Sequence, residues 1–308
     1  MNHIIQAVSR RFNKLACDQV MKKIITTAPT SHIGSNDVAV LSMIGKRVIN
    51  DYLVAIKSFL FWYPEVSVHV LSDGTLDDSD RLLIRSHIHS VTFYTYNDVS
   101  MEGLPTGNCW ERLVTLLNLA ETRYVIQLDS DIVVNAAIPE VKSAVESQVS
   151  FVIGDPNWSQ AVPLDELSRL ASQNLSQHVQ SQSEHVMSRI PSLHDKSVCY
   201  LRGCAGFTGI PKGVNKLALL RQFSQEMAAI LGEEKWSEWG SEQVASNFIA
   251  STCQGGHVLP WPQYQTYMFP QSTTRLENTS LIHFMGTCRY KHGEYKKAVN
   301  RALTMLSL

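Results

Sequence analysis

The chain is predicted to be an α/β protein with a mostly parallel sheet flanked by helices. Two observations lead there. Apolar runs of strand length alternate with amphipathic stretches of helix length from Val38 to Ile153, and one run, Tyr124 to Val134, is interrupted by two carboxylates, Asp129 and Asp131. Strands separated by helices of this length form βαβ crossovers, which set neighbouring strands parallel. In such open sheets ligands bind at the carboxyl ends of the strands. The composition agrees: 308 residues, 44% hydrophobic and only 18% charged, suit a packed body that buries about three quarters of its unfolded surface.

Residues 3 to 27 place Ile4, Ile5, Val8, Phe12, Leu15, Ala16 and Val20 near helical spacing with a basic opposite face, the segment carrying Arg10, Arg11, Lys14, Lys22 and Lys23. A leading helix packed on the body is predicted; contact with an anionic membrane surface is the alternative. Strands are then predicted at Val38 to Met43, Val66 to Leu71, Val91 to Tyr96 and Tyr124 to Leu128. They alternate with helices at Arg47 to Phe61, Asp78 to Ser86 and Trp110 to Ala120, the last with Leu113, Leu116, Leu117 and Ala120 on one face. A helix near Pro139 to Ser147 and a fifth strand at Ser150 to Ile153 complete this half. From Asn157 to Lys196 the chain is rich in Ser, Gln and His, with one short helix at Leu164, Leu167, Leu170 and Ala171, and reads as a mobile flap or inserted helical lid. Cys199 to Ile210 reads as a strand bearing Gly203, Gly206 and Gly209, followed by a helix from about Lys216 to Leu231.

A net charge of -1 gives no reason to expect nucleic acid as a partner. The six cysteines form no CxxC pair and fit reduced thiols better than a disulfide framework or zinc cage. The first 29 residues lack an uninterrupted apolar core, so neither a signal peptide nor a membrane span is expected. A cytoplasmic location follows, with peripheral contact at the inner face of the membrane as its variant; oligomeric state is not legible.

Asp129 and Asp131 project from one face of a strand end, where unpaired charge costs several kcal/mol and a hard divalent cation is the natural partner. Downstream, Ser241 is predicted to cap a helix whose first turn carries Glu242 and Gln243, with Trp236 or Trp239 offering a wall to a sugar ring. His283 ends a short apolar strand, where a neutral imidazole can ligate a metal, and Arg289 and Lys291 follow. His87 and His89 have no acidic or Cys company and read as solvated.

In this order of elements the chain resembles the GT-A-fold glycosyltransferases, in particular the glycogenin-like and bacterial lipopolysaccharide galactosyltransferase-like group, over residues 37 to 295. The division implied is an N-terminal helical extension (1–36), a nucleotide-sugar half (37–155), an acceptor half (156–295) and a helical tail (296–308). The resemblance implies that Asp129, Asp131 and His283 hold a divalent metal, with manganese favoured by the mixed ligand set and magnesium the other candidate. It implies that Glu242 and Gln243 stand for an Asp-Gln pair beside the anomeric carbon, and that Gly45, Lys46 and Arg47 border the nucleotide base and ribose. Arg289 and Lys291 lie where the group carries Lys-Pro-Trp against the diphosphate, an imperfect match. The expected reaction moves a sugar from a nucleoside-diphosphate sugar, a UDP-sugar in this group, to a glycan or lipid-linked acceptor.

Three other readings compete. Asp-x-Asp-x-Val also occurs in haloacid-dehalogenase-like phosphatases, but there it opens the core, whereas here three βα units come first. A sugar nucleotidyltransferase would share the sheet, yet Ile44 to Arg47 is too glycine-poor for its phosphate loop. A non-catalytic sugar-nucleotide-binding domain stays open.

Overall fold

The computed structural model describes residues 2–193, 198–267 and 276–307. Positions 194–196 of the polar segment and the side chains of Ile4, Ile5 and Val8 lie outside what is described. Helix α1 (Asn2–Met21) passes through a 3-10 turn (Lys22–Thr26) towards β1 (Val38–Ile44), α2 (Ile49–Trp62), β2 (Ser67–Ser72), α3 (Asp78–His87), β3 (Val91–Tyr94), α4 (Trp110–Ala120) and β4 (Tyr124–Leu128). Then come β5 (Ile132–Val134), α5 (Pro139–Glu146), β6 (Phe151–Ile153), β7 (Val162–Pro163), α6 (Leu164–Gln173), α7 (Val179–Val186), β8 (Cys199–Tyr200) and β9 (Cys204–Ile210). The chain closes with α8 (Lys216–Leu231), α9 (Glu233–Trp236), α10 (Ser241–Thr252), β10 (His257–Leu259), β11 (Tyr264–Thr266), β12 (Leu281–His283) and α11 (Glu294–Met305).

The expected α/β architecture is present. Seven strands lie in the order β10-β6-β9-β4-β1-β2-β3, parallel throughout except that β9 runs antiparallel to both β4 and β6. Its central strands are buried on both faces, so they read as continuous apolar runs, such as Val38 to Leu41 and Tyr124 to Ile126. One face packs against α2, α5 and α11, the other against α4, α8 and α10. A second sheet, β11-β12-β5, lies beside the first, with β5 antiparallel to β12. Local chemistry starts the helices where expected: Asp77 Oδ1 accepts from Asp80 N at 3.0 Å while Asp80 Oδ2 accepts from Asp77 N at 3.1 Å, a reciprocal cap for α3.

Several expectations are corrected. The stretch Cys199 to Ile210 is two strands, because Gly203 sits against Val152 and the Ile153 carbonyl, where no Cβ fits, and Asn247 Nδ2 holds the Gly203 carbonyl at 2.9 Å. Of the two readings of residues 157 to 193, the helical insertion is present and the loose flap is not: α6 and α7 bury Leu167, Val179 and Val186, and Met187, Ile190 and Leu193 follow them into the core. His87 is buried, its Nδ1 3.3 Å from Lys57 Nζ, while His89 is exposed. The apolar positions Phe12 and Leu15 of α1 face water, while Val20, as expected, packs on the body beside Cys17 and Met21. No helix among the described residues is long and apolar enough to cross a membrane.

His69 on β2 is held neutral inside the sheet layer, its Nε2 3.0 Å from Ser67 Oγ, its Nδ1 3.1 Å from Tyr94 OH and its ring stacked on Tyr94. Burial, helped by the nearby Arg123, pushes its pKa down to about 4, below the ordinary value of 6.5. Between those values the unfolded chain binds the extra proton, so stability rises with pH across that window and is lost on acidification through it. Urea midpoints at pH 4.5, 5.5 and 7 are expected to fall in that order of acidity, and His69→Gln to flatten the fall; an unchanged slope refutes the assignment.

Candidate metal and active site

Asp129, Ser130 and Asp131 form the joint between the two sheets. Asp129 N donates to Gly206 O on β9 at 2.9 Å, and Phe284 N, just after β12, donates to Asp131 O at 2.8 Å. Further bonds fix the joint: Ser42 Oγ on β1 donates to Leu128 O at 2.6 Å, and Val134 N donates to Ser58 Oγ on α2 at 3.1 Å. The pairing of β5 with β12 sets His283 opposite Ile132. His283 Nε2 thereby lies 3.1 Å from Asp131 Oδ1 and 3.8 Å from Asp129 Oδ2. Gly206 is required here, since a Cβ would collide with the His283 ring and crowd the Asp129 carboxylate.

The donor atoms of Asp129, Asp131 and His283 lie within 4.8 Å of one another, and two carboxylates with an imidazole fit a divalent cation. Cys204 Sγ stands 3.3 Å from His283 Nδ1 on the far side of the ring and orients it. Burial alone would lift the Asp131 pKa, but His283 and Arg289 outweigh it and hold it low. Burial would likewise depress His283, yet Cys204 and Asp131 raise its pKa well above the ordinary value.

Two arginines bind this cluster into a larger charge network. Arg112 on α4, almost fully buried, donates from Nη1 to Asp129 Oδ1 at 2.5 Å and from Nη2 to both oxygens of Glu242, at 3.2 and 3.1 Å. Arg289 Nη2 contacts Asp131 Oδ2 at 2.7 Å, and its Nη1 lies 3.7 Å from Asp51 Oδ1, which accepts from Tyr295 OH at 3.1 Å. Neither Arg112 nor Asp51 stood among the sequence candidates. A signal for Arg112 existed: it lies four residues before Leu116, on the apolar face of its helix, where a cation needs a buried partner.

The cluster opens into a cavity of about 860 Å³ whose walls include Arg112, Glu242, Gln243, Trp158, Trp239 and residues of α6 and α7. Glu242 is 4% exposed; burial raises its pKa against the opposing pull of Arg112. Gln243 Nε2 donates to Gln180 Oε1 at 2.9 Å, Gln180 Nε2 to Glu184 Oε1 at 2.8 Å, and Arg202 Nε to the same oxygen at 2.8 Å. Ser241 is not the cap of α10. Gly240, with φ of 105°, turns the chain into the helix, and Ser241 Oγ instead accepts from Trp110 Nε1 at 3.0 Å. Trp236 is core, edge-on to Trp110 and Phe223, whereas Trp239 is 65% exposed at the cavity.

The remaining candidates lie apart from the cavity wall. Gly45, Lys46 and Arg47 follow β1 at the same sheet edge as Asp129; Lys46 Nζ is paired with Asp77 at 2.5 Å and Asp80 at 3.4 Å. Lys291 is exposed, and its backbone carbonyl accepts from Tyr267 OH.

No protein-family model matches the chain, and no curated protein matches it. Solved structures do. The apo form of the WbbM bifunctional glycosyltransferase matches at a TM-score of 0.51 and 11% identity, over 84% of this chain but 47% of that one, so this chain spans about half of it. Galactosyltransferase LgtC, solved with donor and acceptor sugar analogs, matches at a TM-score of 0.51 and 13% identity, over 85% of this chain and 95% of that one. At such identities the likeness is one of fold, and the fold of this chain is that of the GT-A glycosyltransferases.

Proposed function

We propose that the protein is a metal-dependent glycosyltransferase that moves a sugar from a nucleoside-diphosphate sugar, a UDP-sugar, to a hydroxyl of a glycan or lipid-linked acceptor. The observation that carries this reading is the meeting of Asp129, Asp131 and His283 in the lining of one cavity with Glu242 and Gln243, Glu242 being bridged to Asp129 by Arg112. Manganese suits the mixed carboxylate and imidazole donors, with magnesium the weaker candidate. When bound, the ion would offset charge growing on the departing diphosphate.

The chain's own residues do the rest. Arg289, held beside Asp131, supplies a fork-shaped cation for phosphate oxygens at the same edge. Gly45, Lys46 and Arg47 border the nucleoside, and Lys291, exposed beyond the turn, is assigned at most a peripheral part in phosphate contact. Arg112 fixes Glu242, so Glu242 serves as a placed negative charge facing the sugar carbon rather than as a freely titrating base. Gln243, tied to Gln180, positions the ring, and Trp239 offers it an apolar surface.

Calorimetry with UDP and manganese, run beside donor hydrolysis, tests this. UDP binding that requires manganese, together with sugar release, is expected; binding without hydrolysis would leave a sugar-nucleotide-binding domain, and neither would refute the proposal. Glu242→Gln is expected to lower kcat by about 10²-fold with little change in donor KM, since it removes charge seen mainly in the transition state. Steady-state kinetics at saturating donor measures it, and an unchanged kcat would remove Glu242 from the assigned role.

A further inference from the structure

We infer that α1 docks the protein on an anionic lipid bilayer, an inference that stands independently of the transfer reaction. Among the described side chains of α1, those that meet the body include Asn13, whose Nδ2 donates to Tyr290 O at 3.0 Å, the buried Cys17 and Met21, and Val20 packed beside them. Phe12 and Leu15 project elsewhere, 71% and 58% exposed; at about 100° per residue Phe12 lies opposite Met21. Two large apolar side chains three residues apart form a stripe along one helix face that the rest of the protein leaves to solvent.

Charge identifies the occupant. Residues 1 to 36 contain Arg10, Arg11, Lys14, Lys22 and Lys23 against a single carboxylate, Asp18, which Lys14 already engages at 2.6 Å. All five cations are exposed, in a chain whose net charge is -1. By the same spacing Arg11 flanks the stripe while Arg10 and Lys14 fall nearer the side of Cys17 and Met21, and Lys22 and Lys23 follow in the 3-10 turn. An apolar stripe on a segment with this excess of positive charge complements the boundary between anionic headgroups and acyl chains. A second copy on the same face would set like charges against each other, which disfavours self-association there.

The location has a consequence for the cavity. Lys14 Nζ lies 5.6 Å from the Tyr290 ring centroid, and the 3-10 turn Gly286–Tyr290 beneath α1 sends Gly286 and Cys288 to the cavity wall and Arg289 to Asp131. A bilayer on α1 thus rests beside the turn that rims the site.

The test is co-sedimentation of the full chain with phosphatidylcholine vesicles and with vesicles of phosphatidylcholine and phosphatidylglycerol, at low and high salt. Binding is expected only to the anionic vesicles and is expected to weaken with salt. Phe12→Ser with Leu15→Ser should reduce the partition constant by roughly tenfold or more, and Arg11→Gln with Lys22→Gln similarly. These positions are exposed, so circular dichroism of each variant should match the parent. No binding to anionic vesicles overturns the proposal. So does an equal loss from Leu82→Ser, which alters an exposed leucine on α3, or a concentration-dependent dimer abolished by Phe12→Ser.

Discussion

Arg112→Met is expected to cost about 3–5 kcal/mol of folding free energy, because it leaves Asp129 and the buried Glu242 facing each other without their shared cation. Methionine fills the volume of the stem, so the loss reports charge rather than a cavity. Turnover of a UDP-sugar should fall with it by at least roughly 10²-fold, since both carboxylates lose their placement. Arg112→Lys should recover only part of either quantity: an ammonium is a point charge and cannot bridge two carboxylates as a planar fork does. Urea denaturation of the metal-free protein gives the stability, and a midpoint equal to the parent's would show that the two acids find other partners.

The second large effect belongs to Asp131. Asp131→Ala is expected to abolish manganese binding in calorimetry and to reduce donor turnover on the order of 10³-fold or more, because it removes the carboxylate that meets both His283 and Arg289. It also leaves Arg289 and the His283 imidazole without their shared carboxylate in a buried setting, so the metal-free protein should melt earlier. Asp131→Asn separates the consequences: it keeps the volume and a hydrogen-bond acceptor while deleting the ligand charge, so activity should be lost with a smaller loss of stability. Turnover undiminished in Asp131→Asn would refute the metal assignment.

Much of this was readable in the chain. The alternation from Val38 to Ile153 is driven by burial on both sheet faces, so strands appear as solid apolar runs and the connecting helices as striped ones. Asp129 and Asp131 stood out because charge inside such a run demands compensation, and His283 because it ends an apolar strand. What stayed hidden depends on pairing across long separations. Arg112 lies 130 residues from Glu242, and Asp51 far from Arg289; spacing cannot announce such partners. The antiparallel insertion of β9 leaves no mark in its own sequence, because a strand buried between two others reads alike in either direction. The insertion's core went unseen because its few apolar residues, Leu167, Val179 and Val186, are diluted among Ser and Gln. The outward face of α1 is legible only as a stripe: periodicity identifies apolar positions but not what covers them.

The polar insertion contributes His178, Gln180 and Glu184 to the cavity, while the acids and the imidazole come from the joint between the sheets. On the proposed function, the insertion and the carboxylate–imidazole cluster are separate parts of the polypeptide that line one cavity, linked through Gln180 and Gln243. If that function holds, substitutions in the insertion should change which acceptor is taken while the carboxylates and imidazole of the joint keep their geometry.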